Sequence, residues 1–343
     1  MATGWLEVRG TVAIDQFWPV GRSDGDTVQV ELGLAADTFR FRANAAVPLV
    51  ATRVFDEARV RGAYGPAYVV KKTSAKTRQL SVRLQGIDAP ELHYRASPAR
   101  KLSADEKARF NRFGHEYRQS GAETGALLLR QKLGSAGTKS VPCRVVTAID
   151  APGDACDIYG RMVGDLFVEL PDGELHVNRW LVRQGLALPT FYNSMSEEEI
   201  DALLHDLADA RRYRRGLLAK RRFTRDAVAF RFSDVYRKGS AAAAAWADDG
   251  ECCLPKLYRR KTHWAVNRKH RLTKVTFDRW LADHRDDVHL LDDYLEQGAT
   301  AATTRHLHEF VKASRFTRDP TTLVFRESAS RLIDAAGKTI SRW

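Results

Sequence analysis

The sequence predicts an α+β chain in two parts, and three observations lead there. Short apolar or alternating runs punctuated by Gly, Asp and Pro fill the first third, and helical periodicity joins them further on. A densely basic block running into an alanine-rich stretch then precedes a C-terminal segment of different character.

Residues 6–14 and 27–32 read as strands, with turn chemistry in Ser23-Asp24-Gly25-Asp26 between them. Residues 39–42 and 67–70 are further short strands. In residues 80–87, Leu80, Val82 and Leu84 share one face while Ser81, Arg83 and Gln85 share the other, which presents Arg83 away from the core. Asp88-Ala89-Pro90-Glu91 ends this run, because proline lacks a ladder N–H and holds its predecessor extended. Two carboxylates, Asp88 and Glu91, are thereby expected beside the projecting Arg83. Ser103 to Glu106 reads as a helix cap and residues 121–133 as a helix. Residues 143–148 and 162–170 read as strands, the second turning at Pro171-Asp172-Gly173. A helical run at 180–184 stops at Gly185, and residues 196–219 form an amphipathic helix opened by Ser196-Glu197-Glu198-Glu199. Beyond the alanine-rich stretch, residues 277–297 and 304–313 read as helices and 321–325 as a short strand. The expected domains are residues 1–225, a basic and Ala-rich linker 226–255, and a smaller, mostly α region 256–343.

Charge is unevenly placed. The net charge of +12 arises in residues 211–275, which hold 19 Lys and Arg against 5 Asp and Glu, while residues 1–210 hold 26 against 27. A solvated basic helix with its linker accounts for this, and so does a nucleic-acid contact through Arg211, Arg212, Arg214 and Arg215, with Tyr213, Tyr258 and Trp264 able to stack on bases. The four cysteines form no C-x-x-C pair and no dense framework, which suits a reducing compartment. With no apolar leader at the N-terminus and no membrane-length run, a cytoplasmic protein without a membrane partner is expected.

Three separated fragments carry chemistry: Asp24-Gly25-Asp26-Thr27, Arg83 to Glu91, and Asp157-Ile158-Tyr159-Gly160-Arg161. Cleaving a phosphodiester requires charge neutralisation at the phosphoryl oxygens, a base for water and a donor for the leaving oxygen. Asp26, Asp88 and the Ala89 carbonyl offer oxygens to a hard cation, Glu91 is left to hold water, and Arg83 and Arg161 can each grip two phosphate oxygens. A metal-dependent phosphodiesterase follows.

In this order the fragments, with Val177-Asn178-Arg179-Trp180-Leu181-Val182-Arg183-Gln184-Gly185-Leu186-Ala187, resemble the staphylococcal (micrococcal) nuclease family over roughly residues 5–220. The resemblance implies an OB-fold five-stranded barrel with packed helices, calcium or another divalent cation at Asp26, Asp88 and Ala89, and catalysis by Arg83, Glu91 and Arg161. It further implies Tyr159 against the nucleotide, an aromatic platform at Tyr192, and endonucleolytic cleavage of DNA or RNA, single strands favoured, to 3′-phosphorylated ends. Insertions about 34–79, holding Lys71, Lys72, Lys76 and Arg78, and 95–120 depart from the compact members. Two other readings stay open: an inactive nucleic-acid-binding barrel, and a nuclease effector whose C-terminal region restrains it or recognises a protein or RNA partner.

Overall fold

In a computed structural model of the protein the described residues are 4–21, 23–35, 37–62, 65–74, 77–113, 116–221, 223–225, 251–327 and 330–343. Lys76 and most of the expected linker lie outside them. The chain divides into two compact units, neither a single segment: Met1–Gln85 with Leu128–Trp180 and Glu327–Trp343, and Gly86–Leu127 with Leu181–Arg326.

Five strands of the first unit close a barrel: β1 (Trp5–Ala13), β2 (Thr27–Leu32), β3 (Arg78–Leu84), β4 (Ser140–Ala148) and β5 (Met162–Leu170). β2 pairs antiparallel with both β1 and β3, β5 runs parallel to β3, and β4 joins β5 back to β1 along the full register from Trp5↔Ala148 to Ala13↔Ser140. This is the mixed OB-type barrel that the resemblance implies. Period-two alternation explains it: Val28, Val30 and Leu32, then Leu80, Val82 and Leu84, then Leu166, Val168 and Leu170 all turn inward and are buried. The run expected at 80–87 breaks after Leu84, because Gly86 takes a positive φ of 73° before a two-residue strand Ile87–Asp88.

Asn178 fastens the barrel. Its side chain is buried, donates to the carbonyls of Gln85 and Gly164 at 2.9 and 3.3 Å, and accepts the Leu166 N–H at 3.0 Å. One amide thus serves backbone groups of both β5 and the segment leaving β3.

The insertion at 34–79 is partly barrel edge. Phe39–Arg42 pairs with β1, Val50–Ala51 with that strand, and Val70–Lys72 with β3. Residues 67–70, expected as one strand, are two: Gly65–Tyr68 pairs with Arg59–Gly62, and a break at Val69 precedes Val70–Lys72. The C-terminal tail completes this small sheet through Leu332–Ile333, Arg59 donates to the carbonyls of Asp334 and Ala335, and Trp343 stacks on Phe41 at 3.8 Å.

The helices are α1 (Ala104–Phe113), α2 (Ala122–Gly134), α3 (Val177–Arg183), α4 (Glu197–Arg212), α5 (Pro255–Lys269), α6 (Phe277–His284) and α7 (Leu291–Ala301). Ser103 and Ser196 cap α1 and α4 with reciprocal bonds to Glu106 and Glu199. α4 ends at Arg212, short of the expected 219, because Arg214 and Gly216 adopt positive φ and Gly216–Arg221 continues as a 3-10 turn. Two C-terminal expectations are corrected. Residues 277–297 are not one helix: Arg285 takes the left-handed conformation at the end of α6, and Asp287–Leu290 is a strand with Val288 and His289 buried. Residues 304–313 are not a helix either, since the helical spacing of Leu307, Phe310 and Val311 is satisfied by a single 3-10 turn between two-residue strands. The strand expected at 321–325 is Leu323–Phe325, preceded by a 3-10 turn. In the second unit Phe191–Tyr192, Leu323–Phe325, Asp287–Leu290 and Arg305–His306 form one sheet, beside a core of Leu254, Leu257, Phe277, Leu281, Leu307 and Phe316.

No helix among the described residues is long and apolar enough to cross a membrane. Replacing Asn178 with Ala strands one buried N–H and two carbonyls, and is expected to cost about 2–4 kcal/mol. Urea unfolding followed by circular dichroism measures it, and a loss below about 1 kcal/mol would show that the amide is not the fastener.

Candidate active site

Three of the residues singled out in the sequence gather at the barrel. Thr27 opens β2 directly opposite Arg83 of β3, so Asp26 sits at the strand mouth and its carboxylate pairs with the Arg83 guanidinium. Asp26 is 3% exposed, and its carbonyl accepts the Leu84 N–H at 2.8 Å. Arg161, just before β5, donates to the Thr27 hydroxyl at 3.3 Å, and that hydroxyl donates to Asp26 at 3.2 Å. Parallel pairing of β5 with β3 brings Arg161 there, because Met162 lies opposite Val82.

Asp157 orients the Arg161 side chain. One carboxylate oxygen accepts the backbone N–H groups of Tyr159 and Arg161 at 2.9 and 3.0 Å, and the other accepts the Arg161 side chain at 2.7 Å. Tyr159 is 53% exposed, with the Arg161 guanidinium carbon 5.4 Å from its ring centre. Gly160 has φ 81°, and a Cβ there would stand 3.2 Å from Ala67, so this loop tip admits only glycine without strain.

The second unit holds the other acids. Asp88 lies in the Ile87–Asp88 strand, paired with Leu188–Pro189, and is fully buried; Ala89 is buried beside it. Glu91 is fixed through its main chain: its N–H donates to the Gln119 side chain at 3.0 Å and its carbonyl accepts the Gln119 N–H at 2.6 Å. Both carboxylates meet a residue whose role the sequence did not disclose, Arg259 of α5. It spans the two oxygens of Asp88 at 3.0 and 3.1 Å and binds Glu91 with the same nitrogen that serves Asp88. Burial acts to lower the guanidinium pKa, but the two carboxylates outweigh it and hold that pKa well above its ordinary value. No local signal marks Arg259 apart from the basic residues around it. The only hint in the sequence is that a buried acid pair needs a counter-charge.

The remaining candidates are spread over the second unit. Tyr192 is half-buried, with the Lys256 ammonium 5.7 Å from its ring centre, and burial lowers the Lys256 pKa to about 8. Arg211 pairs with Asp319 at 2.7 Å, and Arg215 donates to the Arg183 carbonyl at 3.2 Å. Arg212 and Arg214 are exposed, and the Arg212 and Arg215 guanidinium carbons lie 5.5 and 4.9 Å from the ring centre of exposed Tyr213.

Oxygen donors of the kind a hard cation needs are therefore present, yet they are already committed to guanidinium groups: Asp26 to Arg83, and Asp88 and Glu91 to Arg259. Among the described residues no group of three or more His, Cys, Asp or Glu side chains comes together to hold an ion. In this arrangement the acids do not fit a divalent cation.

A closed mixed barrel whose strand ends collect an acid and two arginines around one threonine defines an OB-type fold with a charged cluster at one mouth. Residues 81–220 match the model of the staphylococcal nuclease homologue family, so this stretch is similar to that family's domain. The match begins within β3, and Asp26 precedes it. No curated protein matches the chain.

The Asp26–Arg83 pair yields a stability test. Arg83→Gln leaves a buried carboxylate without its guanidinium and is expected to cost about 3–5 kcal/mol; Asp26→Asn in the same background should recover at least about half. A double-mutant cycle by urea unfolding reads the coupling, and additive losses would mean that the pair is not coupled.

Proposed function

We propose that the protein is a nuclease hydrolysing phosphodiester bonds of nucleic acid, with single-stranded DNA or RNA favoured. The observation that carries this reading is the convergence of Asp26, Arg83 and Arg161 on Thr27, within a fold whose matched stretch is nuclease-like. Arg83 and Arg161 are permanently charged forks suited to the oxygens of one phosphate, and their electrostatic stabilisation grows as charge builds there. The resemblance assigns Glu91 to take a proton from the attacking water as the water's oxygen bonds to phosphorus. The bond from phosphorus to the 5′ oxygen then breaks, and the leaving oxygen gains a proton, giving a 3′-phosphate and a 5′-hydroxyl. Calcium is the cation that the resemblance implies. Tyr159 offers an exposed face for a base, while Arg212, Arg214 and Tyr213 offer a basic, aromatic surface to the strand.

Restraint by the C-terminal region is the second reading, and Arg259 on Asp88 and Glu91 favours it.

Cleavage of labelled single- and double-stranded DNA and RNA, with calcium, magnesium or chelator, tests the assignment. Glu91→Gln should lower the rate by about 10²–10⁴-fold while strand affinity by fluorescence anisotropy persists. Wild-type protein that binds these strands but leaves all of them intact under every condition would instead make the barrel a binding module.

The basic surface has its own test. Arg212→Ala combined with Arg214→Ala should reduce the slope of log affinity against log salt by about 1–2, equally for unrelated sequences. An unchanged slope would remove phosphate contacts from that surface.

A further inference from the structure

We propose that Arg259 is a built-in counter-cation that occupies Asp88 and Glu91 and competes with a divalent cation for them, so that α5 holds the site in a restrained state. The inference deepens the nuclease reading by naming the group that regulates its acid pair. Three observations carry it.

The first is the contact itself. A planar guanidinium spans both oxygens of Asp88, and one of its nitrogens also reaches Glu91. A hard cation bound at Asp88 needs the lone pairs that those N–H groups occupy, so guanidinium and ion exclude each other there. Glu91 is engaged as well, because one of its oxygens already accepts a hydrogen bond from the same guanidinium.

The second is access. The Asp88 side chain is 0% exposed and that of Glu91 13%, while Arg259 is 25% exposed. The guanidinium is the most solvent-accessible member of the trio and has a path to water when it yields.

The third is that the protein fixes the place from which Arg259 reaches. Leu254, Leu257 and Tyr258 are buried at the start of α5, and the Tyr258 hydroxyl donates to the Arg118 carbonyl at 3.0 Å. Gln119, already bonded to the main chain of Glu91, donates to the Cys253 carbonyl at 2.9 Å, so one side chain ties the acid's backbone to the segment leading into α5. Further along, Asn267 donates to the Ser97 carbonyl at 3.0 Å and accepts the Ala99 N–H at 2.7 Å. Ser97, Ala99, Arg118 and Gln119 all belong to the insertion at 95–120. Its base is pinned by two main-chain bonds of 2.8 Å between Tyr94 and Tyr117, and Phe110 joins Tyr117, Tyr258 and Val266 in one cluster. The insertion is thus the seat of α5. Tethering in this way gives Arg259 a high effective concentration at the acids, against which a weakly held ion competes poorly.

The experiment uses the full chain, because residues 181–225 and 251–326 share one compact unit and cannot be assumed to fold apart. Arg259→Gln keeps most of the side-chain volume without the charge, and Arg259→Lys keeps the charge without the fork. Calcium is titrated into each by calorimetry, with terbium luminescence as an independent readout, and the same samples are assayed on labelled single-stranded DNA. Arg259→Gln is expected to bind calcium at least ~10-fold more tightly than wild type, with Arg259→Lys between them. Circular dichroism checks folding, and the lysine variant carries the comparison if the glutamine variant fails that check. Unchanged calcium affinity in a folded variant overturns the proposal. So does a loss of cleavage without any gain in calcium affinity, which would make Arg259 a catalytic group. Tighter calcium binding with no cleavage by any variant would uphold the competition and reject the nuclease reading instead.

Discussion

The parallel pairing of β5 with β3 is the constraint on which the rest depends. Antiparallel neighbours can be joined by a tight turn, but parallel ones require a long crossover, and here the chain leaves β3 at Leu84 and returns at Met162. That excursion contains the acid pair, α1, the insertion around it, α2 and β4. The same pairing sets Val82 opposite Met162, which brings Arg161 to the mouth of β2, where Thr27 faces Arg83. Asn178 bonds Gln85, Gly164 and Leu166 together, so the exit from β3 and the middle of β5 share one buried amide. A one-residue slip would turn Arg83 into the core and Leu84 outward, and the burial of Leu80, Val82 and Leu84 forbids it.

Much of the barrel was legible because its signals are local. Alternation in Leu80 to Leu84 and in Met162 to Leu170 specifies both strand and face, and the Ser196 to Glu199 box specifies where a helix starts. Gly185, with φ 65°, marks the end of the α3 turn because a Cβ there would meet the Arg215 carbonyl at 2.3 Å. Asp26, Arg83 and Arg161 could be grouped because their fragments carry complementary chemistry and, in that order, resemble the nuclease family's pattern.

The C-terminal region resisted the same reading for a physical reason. Leu307, Phe310 and Val311 have helical spacing, yet the space they fill is bounded by strands that the sequence alone does not place, so a single turn suffices. The run from Phe277 onward carries apolar residues at intervals compatible with one helix. Tertiary pairing of Val288 with Phe325 claims its middle as strand. Arg259 was invisible on similar grounds: its partners lie 171 and 168 positions away, and nothing in Tyr258-Arg259-Arg260-Lys261 distinguishes the residue that turns inward.

This bears on what the basic block means. Its surplus of positive charge suggests a polyanion as partner, but part of that charge is spent inside the fold. Arg259 pairs with Asp88 and Glu91, Arg260 forks onto Asp286 at 2.5 and 2.7 Å, and Arg211 pairs with Asp319. Those arginines are structural counter-ions to acids contributed by other segments, and their charge is largely cancelled over a few ångströms. Among the described residues of this block, the cations left exposed to attract a nucleic-acid backbone include Arg212 and Arg214, which flank Tyr213 at the end of α4, and Arg268, Arg271 and Lys274. Total charge is a property of the chain, whereas the field felt by a strand is a property of the cations left unmatched at the surface. Residues 211–275 contain both kinds, and only the folded pairing separates them.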